Sequence, residues 1–328
     1  MTFDDEDRRI AAGLLVHPRA GWPLLSETLG IPLSTVARRG KQLIDDGHVR
    51  VIGNIDVMAA HTGFPVLLRV ECEQASTDAV ATELAARVSM RGVTTTAGSF
   101  QVHADVIVSS LDELSTLIVG DLPRTPGIRN LSTHIVLRRF TTAHSWDSGI
   151  LTRSQVDRLR QARPDAGTAD GEARRMDDTD VALIRALEDD GRATWRELAA
   201  HAGVEQRTAQ RRILDLMTRG MLRMRTFVRP ADIGLPLTAT LWIGIDPAKL
   251  ESVGLQLAQH PAVTLLVATT GSFNLCGSVA VADNRALYDF MTVMLGRIPG
   301  MRQIDVAVEM TTLKRMDIMH PYNERSMP

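Results

Sequence analysis

The sequence of 328 residues is poor in aromatic side chains and in cysteine. Aromatic residues make up 4% of it, so its hydrophobic cores must be built from aliphatic side chains and alanine. The two cysteines, Cys72 and Cys276, make neither a disulfide framework nor a zinc site, which indicates a reducing compartment. The histidines show no ligand spacing either, so we expect no metal and no other cofactor.

The sequence also lacks an excess of charge of one sign, and it lacks long apolar runs. Its net charge is −2, so any contact with nucleic acid must come from local basic clusters rather than from the overall field. No apolar run reaches the roughly 20 residues that cross a bilayer, and the acidic start MTFDDEDRRI does not resemble a signal peptide. We therefore expect a cytoplasmic protein without a membrane partner. The sequence contains neither a phosphate loop nor a nucleophile motif that would indicate an enzyme.

What the sequence does contain is one pattern written twice. Residues 4–50 align without a gap onto residues 177–223, at a constant offset of 173, and fifteen of these 47 positions are identical. The same offset carries Gly98-Ser99-Phe100 onto Gly271-Ser272-Phe273. Because the repeat is domain-sized, we interpret the chain as a covalent pseudo-dimer of a module of about 150 residues.

Each repeat begins with three predicted helices and a strand. In the second copy, Asp177 and Asp180 favour a helix start, and Leu183, Ile184 and Leu187 recur at helical spacing. A short second helix and a third one over about 205–219 follow, and Gly220 ends the third. Three helices followed by a β wing describe a winged helix-turn-helix.

The second half of each repeat alternates between strand and helix periods in the order βαββαβ, which is typical of a ferredoxin-like fold. The predicted fold class is therefore α+β, a tandem repeat of a winged helix-turn-helix and a ferredoxin-like domain. The expected boundaries are 1–55 and 176–229 for the two helix-turn-helix domains, 56–142 and 230–320 for the two βαββαβ domains, and 143–175 for a flexible linker. Within this linker, Val156 and Leu159 predict a helical turn before the flexible centre. We expect the two βαββαβ domains to pair with each other.

The third helix of each helix-turn-helix carries the strongest functional pattern, because its outward positions hold hydroxyl, amide and guanidinium groups. Such groups contact phosphates and base edges. The alternative is an ordinary solvated basic face. The candidate DNA-binding residues are Ser34, Thr35, Arg38, Arg39 and Lys41 in the first copy, and Arg207, Thr208, Gln210, Arg211 and Arg212 in the second. Arg39 and Arg212 lie beside the inward positions, so they either brace the fold or touch phosphate.

With these motifs, the chain resembles the leucine-responsive regulatory protein/asparagine-operon regulator (Lrp/AsnC) family of transcription factors. The matching pieces include Asp190-Gly191-Arg192-Ala193-Thr194, Glu197-Leu198-Ala199, and Arg211-Arg212 followed by Leu216 and Gly220. The resemblance covers both repeats and implies double-stranded DNA as a partner, a small-molecule, amino-acid-like effector, and further association of chains into a homo-oligomer.

The chain departs from the family pattern at the recognition helix. Pro32 and Glu205 stand where the family usually has Ser or Thr, and Gly40 replaces a branched aliphatic residue. Glycine inside a helix costs about 0.5–1 kcal/mol relative to alanine, and its missing side chain is expected to leave space. The first helix-turn-helix is therefore predicted to be the less stable one.

The turn between the middle two strands of each βαββαβ domain is the second candidate site, because the resemblance places the effector pocket near it. The candidate effector-binding residues are Thr96, Gly98, Ser99, Phe100 and Gln101, with Thr269, Gly271, Ser272, Phe273 and Asn274 in the second copy. Gln101 and Asn274 replace the family's aspartate, which weakens the expectation that an α-amino group is held here. A plain β-hairpin turn with a buried phenylalanine is the equally weighted alternative.

Three functions compete. The leading hypothesis is a DNA-binding transcriptional regulator tuned by a small molecule, and not an enzyme. The second is a sirohaem-decarboxylase-like enzyme of tetrapyrrole biosynthesis, a class that resembles the same fold and also occurs as fused pairs. The expected Tyr- and Arg-rich signature is missing, since the chain has only Tyr288 and Tyr322. The third is an amino-acid sensor or an assembly protein whose helix-turn-helix domains no longer bind DNA.

Overall fold

The two repeats have the same order of elements, but they do not fold as separate halves. The computed structural model describes residues 3–141, 146–163, 174–315 and 318–319. One unit, here called the head unit, contains Met1–His61 and Thr141–Pro236. The other, here called the sheet unit, contains Thr62–Phe140 and Leu237–Pro328.

The head unit contains two three-helix heads, each followed by one strand. The first head consists of α1 (Asp5–Val16), α2 (Trp22–Leu29), α3 (Leu33–Asp45) and β1 (Val49–Ile55). The second consists of α7 (Asp178–Asp189), α8 (Trp195–Ala202), α9 (Gln206–Thr218) and β6 (Leu222–Val228). Between them in sequence lies α6 (Arg153–Gln161).

The sheet unit contains two βαββαβ domains, as predicted. The first consists of β2 (Phe64–Cys72), α4 (Thr77–Ala86), β3 (Met90–Ala97), β4 (Val102–Val108), α5 (Leu111–Ser115) and β5 (Ile128–Thr141). The second consists of β7 (Leu237–Ile245), α10 (Leu250–Leu257), β8 (Val263–Thr269), β9 (Leu275–Val281), α11 (Asn284–Asp289), β10 (Met301–Arg315) and β11 (Ile318–Met319). Irregular helical turns continue α5 to Arg124 and α11 to Arg297.

The first helix of each head begins at an aspartate cap. The side chain of Asp4 accepts the amide hydrogen of Asp7, and Asp7 accepts the amide hydrogen of Asp4 in return. Asp177 and Asp180 repeat this capping box at α7. Each box satisfies amide groups that the helix start leaves open, so both heads begin at the predicted place.

The wing predicted for each head is instead shared by the two heads. Each head supplies one strand, and β1 pairs antiparallel with β6, from Val49 opposite Val228 to Ile55 opposite Leu222. The centre of this ribbon pairs Ile52 with Arg225, which occupy equivalent positions in the two repeats. A pseudo-twofold axis therefore passes through the ribbon, and the strand predicted as the wing of each head pairs with its counterpart from the other head.

Two arginines, Arg19 and its repeat equivalent Arg192, exchange the same contacts across this axis. Arg19 donates hydrogen bonds to the carbonyl oxygens of Gly191 and Ala193 and lies over the ring of Trp195, 4.7 Å from its centroid. Arg192 donates to the carbonyl oxygens of Pro18 and Ala20, at 2.8 and 2.9 Å, and lies 4.4 Å from the centroid of Trp22. Such reciprocal contacts are what a twofold interface requires.

Part of the segment predicted as a flexible linker is an ordered helix packed on the first head. Val156 and Leu159 of α6 are buried, and Gln155 donates a hydrogen bond of 3.0 Å to the carbonyl oxygen of Thr28. A capping box at Thr152 starts this helix. The second repeat contains no element equivalent to α6 within the described residues, so the two sides of the head unit differ. The centre of the predicted linker, residues 164–173, lies outside the described residues.

In the sheet unit, each domain completes the sheet of the other. The strand order is β10-β3-β4-β2-β5-β8-β9-β7, with β11 added beyond β10, and β7 also pairs with β10. The eight strands therefore form a closed ring in which β3 pairs with β10 and β5 with β8. Two aliphatic cores, centred on Leu68 and on Leu241, lie between the strands and the helices of each domain. The predicted pairing of the two domains is thus present within one chain.

The space expected at Gly40 is filled. A Cβ atom added to Gly40 would lie 2.5 and 2.8 Å from ring carbons of Trp22, whose indole lies against the helix at this point. The other contact of this indole is the guanidinium of Arg192. In the second head the equivalent position is Ile213, which is fully buried. The glycine therefore makes room for the indole, and the expectation that it leaves a void is wrong.

We predict that Gly40→Ala destabilises the head unit although alanine is the better helix former. The clash with Trp22 should cost about 1–3 kcal/mol, which exceeds the gain of about 0.5–1 kcal/mol in helix propensity. Gly120→Ala is the control, because no atom lies within 4 Å of its added Cβ. Chemical denaturation measures both variants, and a Gly40→Ala protein as stable as the parent would contradict the prediction.

Candidate functional sites: the recognition helices and the strand-connecting turns

The third helices α3 and α9 each present their N-terminal half to solvent. Their apolar positions are buried, among them Val36 and Leu43 in α3 and Ile213 in α9. Most of the candidate DNA-binding side chains are exposed, and Thr35 and Thr208 are half-buried. The exposed ones are Ser34, Arg38 and Lys41 in α3, and Arg207, Gln210 and Arg211 in α9. The helices have no side-chain cap at Pro32 or Glu205, so their first amides remain available.

Arg39 and Arg212 are held away from this surface by ion pairs to the capping aspartates of the first helix. Arg39 lies 2.8 Å from Asp4 and 2.9 Å from Asp7. Arg212 repeats the arrangement, 2.7 Å from Asp177 and 3.1 Å from Asp180. Of the two roles that the sequence left open, these contacts match bracing of the recognition helix.

The second head strengthens this brace with another arginine. Arg174 lies 2.6 Å from Asp180 and 2.7 Å from Asp215 of α9. Burial alone would raise the pKa of Asp180, but hydrogen bonds from Arg174, from the Asp177 amide and from Arg212 outweigh it and keep the pKa below its ordinary value. The carboxylate is therefore ionised at neutral pH, and it ties α7 to α9.

In the turn between β3 and β4, the polar side chains bond to other groups of the protein. The hydroxyl of Thr96 donates to the carbonyl oxygen of Phe100, at 2.6 Å, and Phe100 is buried. Gln101 accepts the amide hydrogen of Cys72 at 2.9 Å, at the end of β2. Ser99 bonds to Asp305, which belongs to the other repeat. These contacts match the β-hairpin alternative, with one polar link across the repeats.

The second turn repeats the pattern. Thr269 donates to the carbonyl oxygen of Phe273 at 2.9 Å, and Asn274 makes two hydrogen bonds with the backbone of Ile245, at 2.8 and 2.9 Å. Gly271 has a φ of +100°, which favours glycine, and a Cβ there would lie 2.9 Å from the ring of His134. Ser272 is exposed and accepts a hydrogen bond of 3.3 Å from Gln303 through its carbonyl oxygen.

The two turns flank a cluster of polar and aromatic side chains on the sheet faces opposite the helices. Arg69 and Trp242 occupy equivalent positions in the two repeats and contact each other, with the guanidinium 5.2 Å from the ring centroid. Arg69 also lies 4.7 Å from the ring centroids of both Phe100 and Phe273, and it pairs with Asp305. The guanidinium thus fills the space between the turns.

Two histidines border the same indole. The ring of His134 lies 4.6 Å from that of Trp242, and the ring of His103 lies 5.8 Å from it. Burial lowers the pKa of both imidazoles, and the positive charge of Arg69 lowers them further. Both rings are therefore neutral at physiological pH. Of the side chains around this indole, Phe100 and Phe273 were predicted from the sequence, whereas Arg69, His134 and Trp242 were not. The divergence of equivalent positions, Arg69 against Trp242, was the available signal.

No helix within the described residues is long and apolar enough to cross a membrane. Two family models match the chain. The AsnC-type helix-turn-helix domain matches residues 176–217, which form the second head. The Lrp/AsnC ligand binding domain matches residues 65–145 and 238–319, which correspond to the two βαββαβ domains.

Curated relatives of this chain are about half its length. An uncharacterized HTH-type transcriptional regulator of Pyrococcus abyssi is 28% identical over 141 residues, 43% of this chain and 89% of that protein. The HTH-type transcriptional regulator FL11 of Pyrococcus horikoshii is 25% identical over 140 residues, 42% of this chain and 92% of that protein. The matched length is thus close to that of one of the two repeats.

Among solved structures, the sirohaem decarboxylase NirDL is similar over nearly the whole chain. The TM-score is 0.62, and the match covers 92% of this chain and 88% of NirDL. A structure of the same enzyme in complex with an iron-uroporphyrin III analogue matches with a TM-score of 0.60. The sequence identities are 12 and 13%, so this likeness extends to the fold alone.

Adjacent arginines of α9 should separate stability from DNA binding. Arg212→Gln removes the hydrogen bonds to Asp177 and Asp180, and it should lower the free energy of unfolding by about 1–3 kcal/mol. Arg211→Gln changes an exposed residue and should stay within about 0.5 kcal/mol of the parent. Urea denaturation at neutral pH compares the two. Equal losses in both variants would contradict the bracing role.

Proposed function

We propose that this chain, which carries an AsnC-type helix-turn-helix domain and two Lrp/AsnC ligand binding domains, is a sequence-specific transcriptional regulator that acts as a covalent pseudo-dimer in the cytoplasm. The observation that carries the proposal is the pairing of the two heads in one unit around a pseudo-twofold axis. A DNA duplex presents two half-sites to a twofold dimer of helix-turn-helix heads. One chain therefore supplies what two subunits would supply elsewhere.

The exposed face of the recognition helices supports the proposal. Arg38 and Arg211 occupy equivalent outward positions in α3 and α9, and both are exposed. Arginine pairs with guanine through two hydrogen bonds in the major groove, and lysine or serine suits phosphate. Arg39 and Arg212 are excluded from the proposed contact set, because ion pairs hold them in the fold.

The two heads are proposed to read different half-sites. Ser34 in α3 corresponds to Arg207 in α9, and Lys41 corresponds to Leu214. Each changed donor or acceptor shifts discrimination between bases by about 1–3 kcal/mol. We therefore propose an operator whose halves differ, in contrast to the palindrome of an identical dimer.

A small-molecule effector is proposed on the match of both βαββαβ domains to the ligand binding model. Thr96, Gln101, Thr269 and Asn274 use their side chains to hold the turns, and the Ser99 hydroxyl bonds to Asp305. The polar groups left for a ligand are then the Ser272 hydroxyl and the backbone. The proposed effector site therefore depends on the tips of the turns, and association of chains into an oligomer is proposed to complete it.

A tetrapyrrole decarboxylase is the second candidate, because Arg69, His103 and His134 converge on one face of the sheet unit. A macrocycle with several carboxylates would require a cavity of at least several hundred Å³ at such groups. The space beside them is filled instead by Trp242 and Phe100, which are 0 and 1% exposed. Binding would need both rings to move, so we favour the regulator.

The DNA-binding proposal predicts a steep response to two arginines. Selection from random DNA should yield a site with two unlike halves, one helical turn or a multiple apart. On that site, the Arg38→Ala and Arg211→Ala changes should each weaken binding by about 1–3 kcal/mol, and salt should weaken binding steeply. Arg285→Ala, which removes an arginine that is 80% exposed in the sheet unit, is the control. A double variant with unchanged affinity would refute the proposal.

Absorbance spectroscopy separates the regulator from the decarboxylase. Added sirohaem should show no change in its Soret band with the purified chain, since the buried rings of Trp242 and Phe100 fill the space beside Arg69 and the two histidines. The variant Trp242→Ala, which removes the filling indole, is the matched comparison. A saturable spectral shift with the parent chain, followed by loss of carboxyl groups from the tetrapyrrole, would establish the enzyme instead.

A further inference from the structure

The head unit contains a cavity of about 290 Å³ between its two heads. The loop after α1 and the end of α6 form one wall, and α8, α9 and β6 of the second head form the other. Among its lining residues, four carry basic side chains and most of the others are apolar. The basic ones are His17, Arg19, Arg163 and Arg223, and the apolar wall includes Trp195 and Leu214.

The wall formed by the loop after α1 and the end of α6, here called the basic wall, carries buried guanidinium groups, and the carboxylate of Asp190 lies close enough to act on Arg19 and Arg192. Arg19 and the neighbouring Arg192 donate their hydrogen bonds to backbone carbonyl oxygens, which carry no net charge. Burial lowers the pKa of Arg19, and burial together with the charge of Arg19 lowers that of Arg192 to about 10. Arg223 of β6, on the opposite wall, has a charged partner, because it pairs with Asp56 at 2.8 Å. Two buried guanidinium groups at close range favour an anion between the heads.

His17 adds an unused polar atom to this wall. The side chain is 6% exposed, and its Nδ1 atom is buried without a hydrogen-bond partner. Burial and the charges of Arg163, Arg192 and Arg19 lower its pKa to about 4, although a hydrogen bond with the backbone of Ala162 opposes the shift. A buried polar atom without a partner costs free energy, which a bound polar ligand would recover.

The opposite wall selects against an ammonium group. Trp195, Leu214 and Met217 offer apolar surface, and none of the described lining residues is an aspartate or a glutamate. An amino acid would place its ammonium group beside arginines, and the nearby carboxylates already act on those arginines, because Asp56 pairs with Arg223 and Asp190 lies near Arg19. A carboxylate that carries a branched or aromatic body matches both walls, and the volume is near the lower end of small-molecule sites.

The residues across the pseudo-twofold axis differ from those that line the cavity. Asp190 occupies the position equivalent to His17, so the corresponding loop of the second head carries a negative charge. Helix α6, which supplies Arg163 beyond its last residue, occurs on one side only among the described residues. Among the described residues, the arrangement of His17 and Arg163 therefore occurs on one side of the axis, and the segment that joins the repeats builds part of it.

We propose that this cavity binds one small organic carboxylate with an apolar body and without an ammonium group. The ligand would contact both heads and would stabilise their pairing. Its effect on operator affinity rests on the proposed function, because the same pairing sets the spacing of α3 and α9. Binding of the carboxylate itself does not depend on DNA.

Calorimetry on the full chain without DNA tests the site. We compare 4-methyl-2-oxopentanoate with leucine, which has the same apolar body and carboxylate but adds an ammonium group, and we include benzoate as an aromatic probe. The oxo acid or benzoate should bind with a stoichiometry of one per chain, and leucine should bind at least about tenfold more weakly. Equal or tighter binding of leucine would overturn the proposal, and so would the absence of heat for both carboxylates at millimolar concentration.

Matched variants locate the binding. Arg163→Gln should weaken the carboxylate about tenfold, the value of one charge-assisted hydrogen bond, whereas Arg160→Gln, an exposed change on α6, should leave it unchanged. His17→Asn provides a second change inside the cavity and should also weaken binding. Circular dichroism confirms that each variant is folded. Unchanged affinity in both cavity variants would place the ligand elsewhere, while loss of DNA binding alone would refute the regulator and leave this site intact.

Discussion

The open edges of each βαββαβ domain are the constraint on which the rest of the sheet unit depends. Within one domain the strand order is β3-β4-β2-β5, so β3 and β5 would expose unpaired amide and carbonyl groups. Such edges invite pairing with other strands. The second domain offers β8 and β10 in the complementary positions, and the two pairings remove all four edges. Neither domain is complete without the other, which explains why a fused pair is a natural unit for this module.

Fusion also allows equivalent residues of the two copies to differ. In an identical dimer, a residue on the twofold axis meets its own copy, so an arginine there would face an arginine. In this chain the equivalent positions are Arg69 and Trp242, which stack on each other, and Asp305 of one repeat neutralises the arginine of the other. Gly40 and Ile213 also differ between the copies. At this position the first head makes room for the indole of Trp22, and the second head carries a buried aliphatic side chain. The contacts that define the axis stay symmetric, as Arg19 and Arg192 demonstrate.

Local patterns in the sequence predicted most of the elements, because strand alternation, capping aspartates and glycine stops act within a few residues. Local patterns do not predict which distant elements pair or pack with each other. Nothing local distinguishes a wing that folds back on its own head from β1, which pairs with β6 some 170 residues away. Val156 and Leu159 predicted only a helical turn where α6 lies, because two apolar residues are short of a full amphipathic pattern, and their packing depends on the first head. Gly40 was misread for the same reason, since the indole that fills its space comes from another helix.

Function follows the same division between local and distant information. The outward face of α3 and α9 is a local property of two helices, and the sequence identified its exposed residues. The roles of Arg39 and Arg212 needed the position of a second helix, where Asp7 and Asp180 are buried. The asymmetry between the sides of the head unit depends on α6, because this helix belongs to the segment that joins the repeats and packs on the first head. Linking two copies makes their pairing an intramolecular event with a high effective concentration. The pair is then held together without perfect self-complementarity, so a helix of the linking segment can occupy one side and create a cavity that an identical dimer would have to build twice.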